Sequence, residues 1–315
     1  MIDLSIIIPH YNSVTLLGKL LGSIPNRENI DIIVVDDRSD TNIYEFDEIK
    51  LKNSHVKFIS NSRTNKGAGA ARNCGLEQAK GRWVLFADAD DYFLPHFYDV
   101  VERYSESDSD IIFFKPTSIE LDTGNISDRH VAFCDAIDKY MAGTDNEDEV
   151  RRNIVVPWSK LIKRSLITKY DIWFDEIMVS NDMMFSVKAG YYADKISVSN
   201  EQIYCVTRNV GTLTTVVSAE SFITRTEVQM RYIKFWDDRH GGRKRMNDYN
   251  GLDRLVYCVS LKLGYKCVID TYKLLRRNGV KIFRLKYLNI LAVPRRLGIL
   301  LRTIFKKNKY INKKN

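Results

Sequence analysis

The first 115 residues alternate between short β-branched apolar runs and stretches whose apolar positions recur at helical spacing. The apolar runs, each typical of a buried strand, are residues 3–8 (DLSIII), 31–36 (DIIVVD), 56–59 (VKFI), 83–87 (WVLFA) and 110–114 (DIIFF). Helical spacing is found over Ser13–Ile24, residues 68–79 and Asp99–Tyr104. This alternation predicts βαβ units and an α/β fold with a doubly wound, mostly parallel sheet.

The pattern changes after residue 115. Residues 116–150 are polar and poorly periodic, a further strand is predicted at 195–200 (KISVSN), and helices are predicted over Phe222–Asp237 and Leu252–Arg277. We therefore expect three parts: residues 1–115, which would bind a ligand at the strand ends; residues 116–220, which would complete that domain; and a helical C-terminal extension, residues 221–315.

The charge distribution separates the C-terminal end from the rest of the chain. The formal net charge is +8, but residues 262–315 hold 16 Lys and Arg and one acid, Asp270, whereas the rest holds 32 basic and 39 acidic residues. A basic tail on an acidic body is typical of an element that binds polyanions or a membrane surface. The apolar stretches of Leu285–Ile304, interrupted by arginines, suggest a helix lying in a membrane interface.

Cysteine usage and apolar runs indicate the compartment. The five cysteines are odd in number and widely spaced, with no CxxC pair, which favours a reducing, cytoplasmic environment and argues against a structural zinc site. Neither a signal peptide nor an apolar run of 18 residues is visible. The sequence thus predicts a cytoplasmic protein, with the basic end as its means of reaching the inner face of a membrane.

Aspartates follow two of the predicted strands. The stretch 86–95 (FADADDYFLP) places Asp88, Asp90 and Asp91 after a buried strand, and Asp36 and Asp37 follow another. Ligands of open α/β sheets bind at the carboxyl ends of strands, and paired carboxylates suit Mg²⁺ or Mn²⁺ carrying a phosphate. The structural alternative for both sites is a solvated loop in which the aspartates cap the backbone.

A glycine-containing turn precedes the predicted helix at 68–79. Gly67 and Gly69 would let a phosphate approach backbone N–H groups at the helix N-terminus, and Arg72 would add a positive charge. The alternative is tight packing between strand and helix. The stretch is neither a GxGxxG nor a Walker A motif.

Together these motifs resemble family 2 glycosyltransferases of the GT-A fold, whose nucleotide-binding domain is Rossmann-like. The resemblance is strongest over residues 3–115 and rests on 5–12 (SIIIPHYN), 34–40 (VVDDRSD), 65–81 (NKGAGAARNCGLEQAKG) and 86–95. It continues more weakly through 157–167 (PWSKLIKRSLI), 174–185 (FDEIMVSNDMMF) and 203–209 (IYCVTRN).

The resemblance implies that residues 1–115 are the half of the domain that binds the nucleotide sugar and that residues 116–220 are the half that binds the acceptor. The donor site would lie at the strand ends. Pro9 and Tyr11 would line the nucleotide base, and Asp37, favoured over Asp36, would contact it. Asp88 and Asp90 match the DxD motif, with Asp90 as the more direct ligand of Mn²⁺ or Mg²⁺.

The resemblance also implies a catalytic base. Relatives carry it in a Glu-Asp pair before an apolar run; here the pair is Asn181-Asp182, so the role falls to Asp182, with Glu176 and Asp175 as alternatives. Lys160 is either structural or in contact with a phosphate, and His10 either lines the site or packs within the fold.

The function implied is inverting, metal-dependent transfer of a sugar from a nucleotide donor, UDP-linked, to a hydroxyl of a glycan or lipid-linked glycan in bacterial surface polysaccharide synthesis. The rivals are a sugar-1-phosphate nucleotidyltransferase, which would need a glycine- and arginine-rich loop where this chain has PHYNS, and a non-catalytic nucleotide-sugar-binding protein. Nucleic-acid binding is suggested only by the basic tail and is not expected. Aromatic residues lie among the basic ones there (Tyr265, Tyr272, Phe283 and Tyr287), but their spacing equally suits helix packing.

Overall fold

The structure, a computed structural model, describes residues 3–208, 217–240, 242 and 244–283. The chain divides into two compact units, Met1–Asn209 and Val210–Asn315. The division of the first unit into parts at residue 115 stays a prediction.

The first unit is built on one eight-stranded sheet. Its strands are β1 (Leu4–His10), β2 (Ile30–Asp36), β3 (Lys57–Ser60), β4 (Trp83–Phe86), β5 (Tyr92–Phe93), β6 (Ile111–Glu120), β7 (Lys160–Lys163) and β8 (Ile196–Arg208). They lie in the order β3-β2-β1-β4-β7-β6-β8-β5. The helices of this unit are α1 (Val14–Gly22), α2 (Ile43–Lys52), α3 (Ala68–Gln78), α4 (Phe97–Glu102), α5 (Val131–Met141), α6 (Glu147–Asn153), α7 (Arg164–Lys169) and α8 (Met183–Tyr192).

Four of the five strands predicted from the N-terminal pattern, β1 to β4, form a continuous parallel part of the sheet. β1 pairs with β2 along its whole length but with β4 only over Leu4–Ile7. Pro9 therefore lies beyond the β4 pairing, where its missing N–H removes no ladder hydrogen bond. The carboxyl ends of β1, β2 and β4 consequently meet at one edge, as predicted.

The other part of the sheet is mixed. β7 runs antiparallel between β4 and β6, and the short β5 pairs antiparallel with β8, whereas β6 and β8 are parallel. The α/β class and the helical C-terminal part are as predicted, but the sheet carries antiparallel pairs that the alternating pattern did not reveal. Five helices of this unit, α2, α5, α6, α7 and α8, and the strands β5 and β7 were also not predicted.

Helices cover both faces of the sheet, because β1 sends alternate side chains to opposite sides. Ile6 and Ile8 pack with α1 and α2 in one buried cluster, and Ile7 packs with α3 and α8 in the other. This double covering explains why the strands read as continuous apolar runs.

The second unit is helical and consists, in its described part, of α9 (Ala219–Arg239), α10 (Lys244–Asp248), α11 (Gly251–Ser260) and α12 (Tyr265–Arg277). The helix predicted over Leu252–Arg277 is interrupted where Lys262 and Gly264 take positive φ angles of 54° and 86°. None of the helices in the described ranges is long and apolar enough to cross a bilayer. The interfacial helix predicted at Leu285–Ile304 lies outside the described residues.

Candidate active site

Residues of β8 hold the aspartate turn after β4, which carries Asp88, Asp90 and Asp91, through hydrogen bonds. Tyr204 Oη accepts a 2.8 Å hydrogen bond from the Asp88 N–H and donates one of 2.8 Å to Asp91 Oδ2. The Thr207 N–H donates to Asp91 Oδ1 at 2.7 Å, so both carboxylate oxygens of Asp91 have partners within the fold. Asp91 is buried and structural, which leaves Asp88 and Asp90 for chemistry.

Ionisation of the Asp90 carboxyl is disfavoured in this turn. Burial, and secondly the charge of Asp88, raise the pKa of Asp90 from 3.8 to about 6. The positive charges of Arg129 and Arg72 oppose this rise without cancelling it. A carboxylate disfavoured in this way gains stability from any cation that approaches it.

Arg72 of α3 joins the aspartate turn to the loop before α8. Its Nη2 donates to Asp88 Oδ1 at 2.5 Å and its Nη1 donates to Asn181 Oδ1 at 2.8 Å. The guanidinium lies 5.3 Å from the ring centroid of Phe174, and its buried Nε has no hydrogen-bond partner among the described residues. Arg72 therefore positions Asp88 and Asn181 together while keeping one donor unused.

Residues 174–182 cross α3 closely, and Gly69 makes this approach possible. A Cβ at position 69 would lie 2.2 Å from the Asp175 carbonyl oxygen and 2.9 Å from Asn181 Cβ. Asn73 adds hydrogen bonds to the Phe174 backbone in both directions, at 3.1 and 2.9 Å. For Gly69 the structure thus supports the packing alternative.

Asp182 follows Asn181 and lies at the N-cap position of α8, but its side chain makes no capping hydrogen bond. Burial is the main cause that raises the pKa of Asp182, and Asp88 adds to it, while Arg72 and Lys160 oppose it. The carboxylate is therefore not committed to helix capping and sits in the field of the Arg72–Asp88 pair.

Lys160 is an almost fully buried cation near this group. Its Nζ donates to the Ile154 carbonyl at 2.9 Å and lies 5.5 Å from the ring centroid of Phe113. Burial lowers the pKa of Lys160 to about 7, and the charge of Asp182 acts in the opposite direction. The position is more consistent with a structural and electrostatic role than with direct phosphate contact.

Asp36 and Asp37 have different surroundings. Asp36 accepts hydrogen bonds from the Ser39 N–H and hydroxyl and faces His10 Nδ1 at 3.2 Å. Asp37 accepts a hydrogen bond of 2.6 Å from Asn61 Nδ2 and one of 2.7 Å from the Gly67 N–H. The two acidic side chains thus tie together the loops that follow β1, β2 and β3.

His10 packs within the fold. Its Nε2 accepts from the Ser13 N–H, its ring stacks on Phe46 at 4.7 Å, and burial lowers its pKa. Since Nε2 is an acceptor here, Nδ1 carries the proton that points to Asp36.

The surface beside this loop cluster is open. Tyr11 is 47% exposed, and Lys66 Nζ lies 4.7 Å above its ring. Pro9 is buried near the end of β1, two residues before Tyr11. Gly67 has a φ of 116°, and its N–H donates to Asp37, so this group already has a protein acceptor.

The carboxylate of Glu176 is already engaged by three neighbouring side chains. Its carboxylate accepts hydrogen bonds from Asn65 Nδ2 at 3.1 Å and Asn73 Nδ2 at 3.3 Å and pairs with Arg63 at 3.4 Å. The backbone of Asp175 packs on Gly69. The surroundings of Asp182 thus suit a base better than those of Glu176.

The donor set fits a hard divalent cation. Within the described ranges no cluster of three or more His, Cys, Asp or Glu is arranged around a metal position. Mg²⁺ and Mn²⁺, however, are commonly held by one or two carboxylates, the remaining ligands being water and substrate phosphate. Asp88 and Asp90 supply two oxygen donors. Burial and the charge of Asp88 raise the pKa of Asp90, so a cation bound there would favour its ionised form.

Several contributors were not foreseen from the sequence. Asn181 and Tyr204 are 109 and 116 residues from Arg72 and Asp88, to which they bond, and no local pattern links them. Lys66 lies inside a quoted motif, yet only its position above Tyr11 distinguishes it.

This sheet, with an aspartate turn and a carboxylate-bearing loop at its strand ends, is that of a GT-A-type glycosyltransferase. The chain belongs to glycosyl transferase family 2, whose family model matches residues 5–171.

Sequence relatives agree with this membership, and a solved structure shares the fold. The chain is 28% identical over 208 residues to the putative glycosyltransferase EpsH of Bacillus subtilis, covering 64% of this chain and 59% of EpsH. It is 33% identical over 215 residues to a poly(ribitol-phosphate) beta-glucosyltransferase of Bacillus spizizenii, covering 64% of this chain and 31% of that protein. The matched region therefore spans less than two thirds of either relative. The structure of Staphylococcus aureus TarS 1-349 in complex with UDP-GlcNAc has the same fold, with a TM-score of 0.62, 21% identity and coverage of 98% of this chain and 88% of that one.

Proposed function

We propose that this protein transfers a sugar from a nucleotide donor, UDP-linked, to a hydroxyl of a glycan or lipid-linked glycan, with inversion at the anomeric carbon. The observation that carries the proposal is the Arg72 bridge. One guanidinium holds Asp88, in the DxD turn, and Asn181, the residue before Asp182. A donor-binding carboxylate and a candidate base are thereby brought to one place.

Asp182 is the proposed catalytic base. It takes the proton from the acceptor hydroxyl as that oxygen attacks the anomeric carbon from the face opposite the leaving group. Burial raises its pKa, which makes its carboxylate a stronger base than an exposed aspartate, while Arg72 and Lys160 favour the ionised form. Because the side chain caps no helix, it can accept the proton without breaking a capping bond.

Asp88 and Asp90 are the residues that would hold Mn²⁺ or Mg²⁺ with the donor diphosphate. A bound divalent cation supplies Lewis-acid stabilisation of the charge that develops on the leaving nucleotide. Arg72 fixes the orientation of Asp88 and contributes positive charge nearby. Its unused Nε–H is consistent with a cation that also meets an anionic substrate.

The nucleoside would lie on the open surface beside the β1, β2 and β3 loops. Tyr11, two residues after Pro9, offers an exposed ring. Asp37, whose oxygens accept from Asn61 and the Gly67 N–H, would contact the nucleobase. Lys66, above Tyr11, adds a cation within reach of this surface.

The setting we propose is bacterial surface polysaccharide assembly at the inner face of the cell membrane. Two sequence relatives, the Bacillus spizizenii glucosyltransferase and TarS, are named for poly(ribitol-phosphate). The 16 Lys and Arg of residues 262–315 provide positive charge for an anionic leaflet.

The proposal is tested by incubating the full chain with a panel of nucleotide sugars and Mn²⁺, with and without acceptor glycans. We expect release of a nucleoside diphosphate that stops when EDTA is added. Undiminished turnover in EDTA would remove the metal role. Formation of pyrophosphate from a sugar 1-phosphate and a nucleoside triphosphate would instead identify a nucleotidyltransferase, and donor binding without turnover would identify a non-catalytic protein.

A further inference from the structure

Helix α12 exposes a face that is both aromatic and basic. Tyr265, Ile269 and Tyr272 are 83%, 46% and 45% exposed. Their spacing of four and three residues places them on one stripe of the helix. The opposite side is buried within the second unit at Cys267, Thr271 and Leu275. The stripe is therefore not the side by which α12 packs into its own unit.

Cations accompany this stripe. The α12 face, as defined here, comprises Tyr265, Lys266, Ile269, Tyr272, Lys273, Arg276 and Arg277, all of them exposed. The one acid of the helix is Asp270, which is partly buried. Long basic side chains beside exposed rings can direct their charges past the rings while their stems cover apolar surface.

Charge decides among the possible occupants of this face. The rest of the chain, residues 284–315, holds ten Lys and Arg and no acid, so folding it back would bring cations onto cations. A second copy placed symmetrically on the face would do the same. A soluble polyanion would satisfy the four cations but leave the three large apolar side chains without a partner.

We propose that the α12 face is a membrane-contact surface that takes the headgroup region of an anionic bilayer. Tyrosine rings have an apolar body and a polar tip, the combination enriched at membrane interfaces, and the flanking Lys and Arg pair with lipid phosphates. This deepens the membrane setting proposed above, and it rests on residues distinct from those of the sugar-transfer site.

The test uses the full chain and sedimentation with phosphatidylcholine vesicles, with and without phosphatidylglycerol. The triple variant Y265S/I269S/Y272S should lose affinity for the anionic vesicles by at least about tenfold, because it removes most of the inserted apolar area. Its matched control is I43S/Y44S/L51S, which removes three apolar side chains that are 48%, 74% and 82% exposed on the first unit. This control should bind as the wild type does.

The charge contribution is separated by K266Q/K273Q/R276Q. This variant should also lose about tenfold or more, and its residual binding should depend less on salt. The control K52Q/K80Q/K234Q makes the same change in net charge at three exposed lysines elsewhere. Equal losses in both charge variants would mean that only overall charge matters and would overturn the assignment to this face.

Two further results would also contradict the inference. If Y265S/I269S/Y272S keeps full vesicle binding while K266Q/K273Q/R276Q loses binding to soluble polyphosphate, the face is a polyanion site and not a lipid site. Unchanged vesicle binding in both α12 variants would show that the face takes no part. Nucleoside diphosphate release is measured on the same samples without vesicles, so failure of the sugar-transfer proposal is recognised separately.

Discussion

Asp182 is the side chain on which the proposed chemistry depends. Replacing it with asparagine keeps its size and removes the negative charge that accepts the proton. We expect D182N to lose transfer by at least about 100-fold while its affinity for the donor nucleotide stays within about twofold, because the group acts in the transition state. Transfer is measured with acceptor present, and nucleotide affinity by titration calorimetry.

The alternatives for the base provide the controls for this experiment. E176Q and D175N should each retain most of the transfer activity, since Glu176 is already occupied by Arg63, Asn65 and Asn73. A large loss in E176Q together with a near wild-type D182N would move the base to Glu176.

Asp90 gives a prediction about stability and pH. Its pKa is about 6 in the folded chain against 3.8 ordinarily, so the folded state binds this proton more tightly than the unfolded state does. The loss of folding stability caused by ionised Asp90 is thus absent below pH 3.8, develops as the pH rises towards about 6, and is fully present above that pH. In EDTA, D90N should be more stable than wild type by about 3 kcal/mol at pH 8 and by less than about 1 kcal/mol at pH 4.

Thermal unfolding at both pH values measures this difference. The exposed Asp122 provides the control, because D122N removes a carboxylate that lies outside the turn. A gain in D90N that is equal at pH 4 and pH 8 would show that charge at Asp90 is not its cause.

At the scale of secondary structure, the contact between α3 and residues 174–182 is the one that assembles the site. Gly69→Ala would place a methyl group 2.2 Å from the Asp175 carbonyl oxygen, so the segment must move. We expect a loss of stability of about 1–3 kcal/mol and a larger fall in kcat than in nucleotide affinity, because Asp182 moves with the segment.

Gly22→Ala is the matched control for this element. Gly22 ends α1, and a Cβ there would meet nothing within 4 Å. This variant should be neutral or more stable by about 0.4–1 kcal/mol and should keep full activity. If both variants behave alike in denaturant unfolding and in kinetics, the close contact at Gly69 does not govern the site.

The elements also show what sequence reasoning could reach. Strands β1 to β4 and helix α3 follow from local periodicity, and with them the edge where Asp37 and Asp88 lie. The antiparallel β7 could not be placed in this way, since four residues, Lys160–Lys163, carry too short a pattern to specify a neighbour or a direction. Likewise, Asn181 meets Arg72 only through tertiary packing, whereas Arg72 itself lies in a recognisable motif.

At the scale of the whole molecule, the C-terminal end determines the sign of the net charge. Ending the chain after Phe283 removes ten Lys and Arg and no acid, which takes the formal net charge from +8 to −2. A cut before Lys262, where the basic region begins, would instead remove α12 and with it the buried Cys267 and Leu275.

We therefore expect the chain 1–283 to fold, to release nucleotide at the wild-type rate, and to bind anionic vesicles at least about tenfold more weakly than the full chain, with less dependence on salt. Circular dichroism, nucleotide release and sedimentation measure the three quantities. Equal vesicle binding by both chains would confine the membrane contact to residues before 284.

Tyr204 makes the aspartate turn after β4 dependent on a strand from much later in the chain. A single phenolic oxygen sets the spacing between the Asp88 amide and the Asp91 carboxylate. Because neighbouring residues of a strand point to opposite faces, inserting or deleting one residue in β8 ahead of Tyr204 would turn that oxygen away from both aspartates. Insertions and deletions should therefore be tolerated in the loops around β8 but not within the strand itself. This strand consequently limits how far the two parts of the sheet, the one before and the one after the aspartate turn in the chain, can change independently of each other.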